Sequence, residues 1–180
     1  MCLLLKFQIS NNKYLYRIKK YLFKNNEVDK KRKDKKIVEI LMEQKKNCGL
    51  GSGLGNYLVA EILYYAKISP FKTIYEIYSD RAMSDRLSDS IEKVVKSAYK
   101  TSYVGYLDDA DEEFAKYVKK LRKNIDEDKD YIYNFHPDIE VGDVFQFNVY
   151  GQKQDPKGNP VKKDKIIKGR TTYWVPDVQK

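Results

Sequence analysis

The chain has 180 residues and carries 35 lysines and arginines against 26 aspartates and glutamates, a formal net charge of +9. That length is one domain or two small ones, and a pI of about 9.2 points to a polyanionic partner, nucleic acid ahead of an anionic membrane surface. Two distant cysteines, Cys2 and Cys48, and a single histidine, His136, exclude a disulfide framework, a four-ligand zinc cage and His-based triad chemistry.

A reducing, intracellular compartment suits that cysteine usage. The apolar start, Met1 to Leu5, is too short for a signal peptide or a membrane span. The expectation is a soluble protein of the cytoplasm or nucleus with no membrane association. The charge is uneven along the chain. Residues 1–50 carry a net +9, residues 51–150 a net −5 and residues 151–180 a net +5. Two basic ends can close on one polyanion if the fold brings them together; read by itself, the run Lys30 to Lys36 is a solvated or disordered stretch.

Helical periodicity dominates the first two-thirds. Tyr14, Ile18, Tyr21 and Leu22 predict a first amphipathic helix, and Ile37, Ile40, Leu41 and Gln44 a second that ends at Cys48–Gly49. A glycine-rich turn from Gly49 to Gly55 follows. A third helix begins near Asn56 with Leu58, Ile62, Leu63 and Tyr65, and stops by Ser69 because Pro70 disfavours helix before it. A short helix spans Thr73 to Tyr78. A longer one runs from about Ser84 to Tyr103, with Leu87, Ile91, Val94, Val95 and Ala98 on one face. Asp108 to Lys123 reads as another, and Asp126 to Asp130 as a charged linker. The period then changes. Val144 to Tyr150 alternates like a strand, Asp155 to Pro160 is turn chemistry, and a second strand covers Thr171 to Val175. The two strands are expected to pair as an antiparallel hairpin, which must pack on the helices or on a ligand to be stable.

Two local features can carry chemistry. Gly53-Leu54-Gly55-Asn56-Tyr57 opens a helix, and helix N-termini offer unpaired amides and partial positive charge to phosphate. Asn56 can add a side-chain donor, or it can simply cap the helix. Lys168-Gly169-Arg170-Thr171-Thr172-Tyr173-Trp174 reads as a basic hairpin in which Arg170 offers a bidentate fork to a phosphate, or as an inert surface turn. The sixteen tyrosines fall at core and half-buried helical positions, so base stacking by them is not the first reading. The acidic pairs Asp108–Asp109 and Glu112–Glu113 suit the first turn of a helix, not a metal site.

Taken together, these residues resemble a known family. Ile37 to Gln44, Gly53 to Tyr57, Glu61 to Tyr64 and Ala66 to Pro70 look like the helix–two-turn–helix core of formamidopyrimidine-DNA glycosylase/endonuclease VIII enzymes. Phe147 to Gln152 and Gly169 to Gln179 look like the family's C-terminal finger. That finger lacks the usual four cysteines and is similar to the zincless variant of some viral, animal and plant members. The resemblance therefore implies no metal or cofactor, and it admits a virus-encoded protein.

The fold class so implied is mainly α with a C-terminal β-hairpin (α+β), a helix–two-turn–helix bundle plus zincless finger. The domains are an N-terminal extension with a helix at 1–29, the DNA-binding helices at 30–124, a linker at 125–143 and the finger at 144–180. The resemblance gives phosphate-binding roles to Asn56 and Arg170 around a flipped-out lesion, with Gly53, Gly55, Tyr57 and Lys168 beside them. The implied partner is double-stranded DNA, preferably abasic or damaged. The family's catalytic residues open an N-terminal β-sandwich with Pro-Glu after the initiator methionine. Here the chain reads Met1-Cys2-Leu3, and no acid adjoins the Cys2 amine. The expectation is a damaged-DNA-binding half with no catalytic residues of its own. It is inactive alone, or is one subunit of a split glycosylase served by a separate catalytic chain. A basic RNA-binding helical protein and a gene fragment are the remaining readings.

Overall fold

The structure, a computed structural model, describes residues 11–43, 50, 54–101 and 145–180. The expected helix at 108–123, the linker at 126–130, Cys2, Cys48, Gly53 and His136 lie outside the described residues. The chain divides into two compact units, residues 1–94 with 147–180 and residues 95–146.

Helix α1 spans Asn11–Leu22 and buries Ile18, Tyr21 and Leu22. Those are the positions its apolar stripe predicts. A short antiparallel ribbon follows, β1 (Phe23–Lys24) with β2 (Glu27–Val28). Asn25 and Asn26 make its two-residue turn at φ 53° and 63°, a left-handed conformation that asparagine tolerates. This ribbon was not legible beforehand, since two-residue strands carry no periodicity. Helix α2 (Lys30–Lys33) is capped by Asp29, whose carboxylate accepts from the Lys31 amide at 2.9 Å.

Helix α3 covers Ile37–Leu41 and ends on Met42, so the second helix stops well short of the expected Cys48–Gly49. It is placed by a backbone exchange with the segment before the next short helix: Ile37 N–H donates to Lys72 O at 2.7 Å and Ile74 N–H to Lys35 O at 3.0 Å. Helix α4 (Asn56–Ala66) is the centre of the unit, burying Leu58, Val59, Ala60, Glu61, Ile62, Leu63 and Ala66. It ends at Lys67, which sits at φ 56° and satisfies the last carbonyls. Helix α5 (Ile74–Ser79) starts in a capping box between Thr73 and Glu76. The Thr73 backbone N–H holds the Glu76 carboxyl below the usual carboxylate range, and Lys72 helps. Helix α6 (Arg81–Thr101) buries Leu87, Ile91, Val94, Val95 and Ala98 as its pattern predicts.

The finger departs from the expected pairing. Strand β4 (Arg170–Trp174) pairs with β3 (Lys162–Ile167), with Lys162 opposite Trp174 and Ile167 opposite Arg170. It does not pair with residues 145–150, the described part of the expected strand. Residues 145–150 form no strand, because the amides of Asn148, Val149 and Tyr150 all donate to the Glu61 carboxylate instead of to a ladder. The described residues are thus mainly helical with antiparallel hairpins, an α+β arrangement.

Candidate nucleic-acid interface

Gly55 is the N-cap of α4 at φ −85°, and no side chain caps the helix. Asn56 is therefore the first helical residue and not the cap. Its Nδ2 reaches 115 positions along the chain and donates to Thr171 O at 2.8 Å. One helix start and one hairpin are joined at that bond. The other Nδ2 hydrogen and Oδ1 of Asn56 are left for other partners.

Gly169 forms the hairpin tip at φ +75°, a conformation an L side chain resists. Lys168 and Arg170 flank it, and both are exposed. Between Asp164 and Ile167 the register shifts, an irregularity in the ladder just before the tip. Tyr57 is 42% exposed beside Asn56. Its ring meets Phe147 edge-on at 5.9 Å and Tyr150 at 6.3 Å. Tyr150 in turn lies 4.9 Å from Tyr173, whose ring carries Lys163 at 5.5 Å. A Cβ on Gly55 would come within 3.2 Å of the Tyr57 ring, so glycine there leaves room for that tyrosine. Five of the six expected site residues, Gly55, Asn56, Tyr57, Lys168 and Arg170, thus fall on α4's start and on the hairpin docked to it. Gly53 lies outside the described residues.

What holds the hairpin there is mostly polar. Glu61 is fully buried on α4. One of its oxygens accepts from Val149 N at 3.0 Å and Tyr150 N at 2.9 Å, the other from Asn148 N and Nδ2 at 3.0 Å each. Asp155 closes the 155–160 turn, accepting from Lys157 N, Asn159 N and Asn159 Nδ2 within 2.9 Å. It also accepts the Tyr64 hydroxyl at 3.0 Å, which ties the turn to α4. Burial alone would raise the Asp155 carboxyl, but the Asn159, Tyr64 and Lys157 donors outweigh it and hold the group below the usual range. Burial, reinforced by the same Asp155 bond, pushes Tyr64 up to about 12. Trp174 Nε1 donates to Asp164 at 2.6 Å. Gln179 bridges the far end, accepting from Val175 N at 2.7 Å and donating to Ile68 O at 2.9 Å. The apolar seam is small: Ala60, Val149 and Val175 are its buried members.

None of these latches was singled out from the sequence. Glu61 did leave a signal. It is an acid amid a run of apolar positions on one helix, and a buried acid must find donors. Asp155 sat in a stretch read only as turn chemistry. Among the described residues no group of three His, Cys, Asp or Glu side chains could hold a metal, and no helix is long and apolar enough to cross a membrane.

Comparisons with known proteins converge on this arrangement. Residues 137–180 match the family described as Formamidopyrimidine-DNA glycosylase C-terminal domain. A viral DNA glycosylase superposes with a TM-score of 0.58 at 22% identity, over 96% of this chain and 47% of that one. Lactococcus lactis formamidopyrimidine-DNA glycosylase bound non-covalently to DNA containing an AP site gives 0.53 at 21%, over 98% and 47%. A mutant of the Lactococcus lactis enzyme in complex with Fapy-dG-containing DNA gives 0.54 at 20%, over 95% and 48%. A sequence search of curated proteins gave no match. The chain spans about half the length of the solved glycosylases it resembles. It has the fold of that half, and residues 137–180 match the model of the family's C-terminal domain.

Proposed function

We propose, from the match of residues 137–180 to the formamidopyrimidine-DNA glycosylase C-terminal domain, that this chain binds duplex DNA at damaged or abasic positions in base-excision repair. The observation that carries the reading is the Asn56–Thr171 bond of 2.8 Å, which joins the start of α4 to the basic hairpin. First-turn amides of a helix have no carbonyl partner four residues back, and they favour an anion. Arg170 supplies a planar fork for a phosphate, Lys168 a second charge, and Gly169 a tip with no side chain in the way. Two such elements side by side suit consecutive phosphates of a kinked backbone, where charge-assisted contacts offset the unstacking of a base.

Glycosylase and lyase chemistry is proposed only for a complex with a catalytic chain equivalent to the other half of the relatives. The separation of the two readings is direct: the chain alone binds, and cleavage appears only with that partner. Arg170→Ala and Asn56→Ala are each expected to weaken binding to an abasic-site duplex by about 1–3 kcal/mol, from the loss of charge-assisted or positioning hydrogen bonds. An equilibrium titration by fluorescence anisotropy measures this. Unchanged affinity in both variants would remove the assigned face.

A further inference from the structure

The first part of the chain holds a second basic surface, which the hairpin site does not use. Residues 11–36 carry eleven basic and three acidic side chains, a net +8 of the chain's +9. The Lys30–Lys33 run is not a loose tail. Asp29 caps α2, and the Asp29 N–H donates to Leu22 O at 2.8 Å. Arg32 is spent on the scaffold: Nη1 donates to Tyr21 O at 2.8 Å, Nε pairs with Asp29 at 3.3 Å, and the guanidinium lies 5.0 Å over the Tyr21 ring. Phe23 of the ribbon packs edge-on against Tyr78 at 5.3 Å. This framework holds outward six cations, Arg17, Lys19, Lys20, Lys24, Lys30 and Lys31. All six are exposed, and none has an acidic partner among the described residues. By contrast Lys35, Lys72 and Arg81 are paired with Glu43, Glu76 and Asp85.

Unpaired like charges on one small scaffold repel one another and cost stability. We propose that α1, the β1–β2 ribbon and α2 form a second duplex-DNA contact surface, one that binds backbone phosphates without regard to damage. The inference rests on the DNA-binding reading above and adds a surface to it. An anionic membrane is the weaker partner on chemical grounds. The apolar face of α1 is consumed by the core through Ile18, Tyr21 and Leu22, and Tyr16 is the one exposed residue between 16 and 34 with a large apolar side chain. Little remains to insert among acyl chains. Phosphates along a duplex need only exposed, unpaired cations, and those are what the surface presents.

The test compares the wild type with K19Q/K20Q/K30Q/K31Q and with Arg170→Ala. Each is titrated with an abasic-analogue duplex and an intact duplex of the same sequence, from about 50 to 200 mM salt. Glutamine keeps the helix propensity of lysine. The pairwise variants K19Q/K20Q and K30Q/K31Q give about half the effect each and stand in if the fourfold variant folds poorly. The expected result is a loss of about tenfold or more for both duplexes alike. The plot of log affinity against log salt should become shallower by about 3.6, as four lost phosphate contacts on a duplex require, with the abasic-to-intact ratio unchanged. Unaltered affinity and slope in the fourfold variant, with Arg170→Ala still weakened, would overturn this surface and leave the hairpin site standing. Binding of the wild type to phosphatidylserine vesicles that the fourfold variant loses, with duplex binding intact, would overturn it in favour of a membrane. If the wild type binds neither duplex, both readings fall together.

Discussion

The helices and the finger share one compact unit, yet different forces hold them. The helices bury a continuous set of large apolar side chains, among them Ile37, Ile40, Leu41, Ile62, Leu63, Ile74, Ile77 and Leu87, all essentially inaccessible. The finger has a buried apolar seam of three residues, and its position depends on two carboxylates and an amide, Glu61, Asp155 and Gln179. Apolar burial degrades gradually when one side chain shrinks. A carboxylate that serves several buried donors strands them all when it is lost. In zinc-bearing fingers a metal can supply such a cross-link; here the described polar latches do it. The finger should therefore be the less cooperative, more acid-sensitive part of the unit, and the hairpin tip that is proposed to bind DNA rides on it.

The neighbours Glu61 and Ile62 on α4 break this comparison most sharply. Trp174 is the chain's single tryptophan and sits on β4, so its fluorescence reports the finger while far-ultraviolet circular dichroism reports the helices. Glu61→Ala leaves three backbone amides without their acceptor and should cost about 3 kcal/mol or more. The loss is expected in the Trp174 transition, which moves to lower denaturant than the helical one. Ile62→Ala should cost about 2–5 kcal/mol as a cavity in the main core, with both signals moving together. Coincident transitions in Glu61→Ala would mean that the finger and helices unfold as one.

A smaller effect is expected at the 155–160 turn. Tyr64→Phe removes one hydrogen bond to a charged group and should cost about 1.5 kcal/mol, and Asp155→Ala somewhat more. The pH dependence has a definite sign. Because the folded protein holds Asp155 below its ordinary range, this carboxylate's stabilisation is complete above the unfolded aspartate pKa near 4. It is lost as the pH falls from there through the lowered folded value. The Trp174 signal is expected to change in that acid window before the helical signal, and Asp155→Ala should remove this component. Tyr64 has the opposite sense, its contribution complete below the unfolded tyrosine pKa near 10 and lost as the pH rises from there through about 12. The slightest change concerns Thr172, whose hydroxyl is buried on β4 with no hydrogen-bond partner. Thr172→Val deletes that orphan and should leave stability unchanged or raise it by up to about 1 kcal/mol in a denaturant titration.

Much of this was legible in the sequence where local rules suffice. The apolar stripes of α1, α4, α5 and α6 place their helices within a few residues, and Pro70 bounds α4 from beyond. Asn56 and Arg170 could be named from motif order, though their adjacency could not, since it depends on a bond between residues 115 positions apart. The strand expected at 144–150 failed for a tertiary reason. Its alternation is real, but Glu61 takes the amides that a ladder would need. Its place as partner to β4 falls to Lys162–Ile167, a stretch with four charges in six residues that no hydrophobic pattern marks as a strand. The second helix ends early at Met42, which spacing alone did not indicate.

The central claim is that the start of α4 and the Lys168–Arg170 tip form one surface for damaged duplex DNA. The most direct measurement titrates the purified wild-type chain with two labelled duplexes of one sequence, one carrying a stable abasic-site analogue and one intact, at two salt concentrations. The account predicts tighter binding to the abasic duplex, with a preference that persists as salt weakens both. Equal affinity for the two duplexes, falling steeply and in parallel with salt, would contradict it, leaving a basic surface with no recognition of damage.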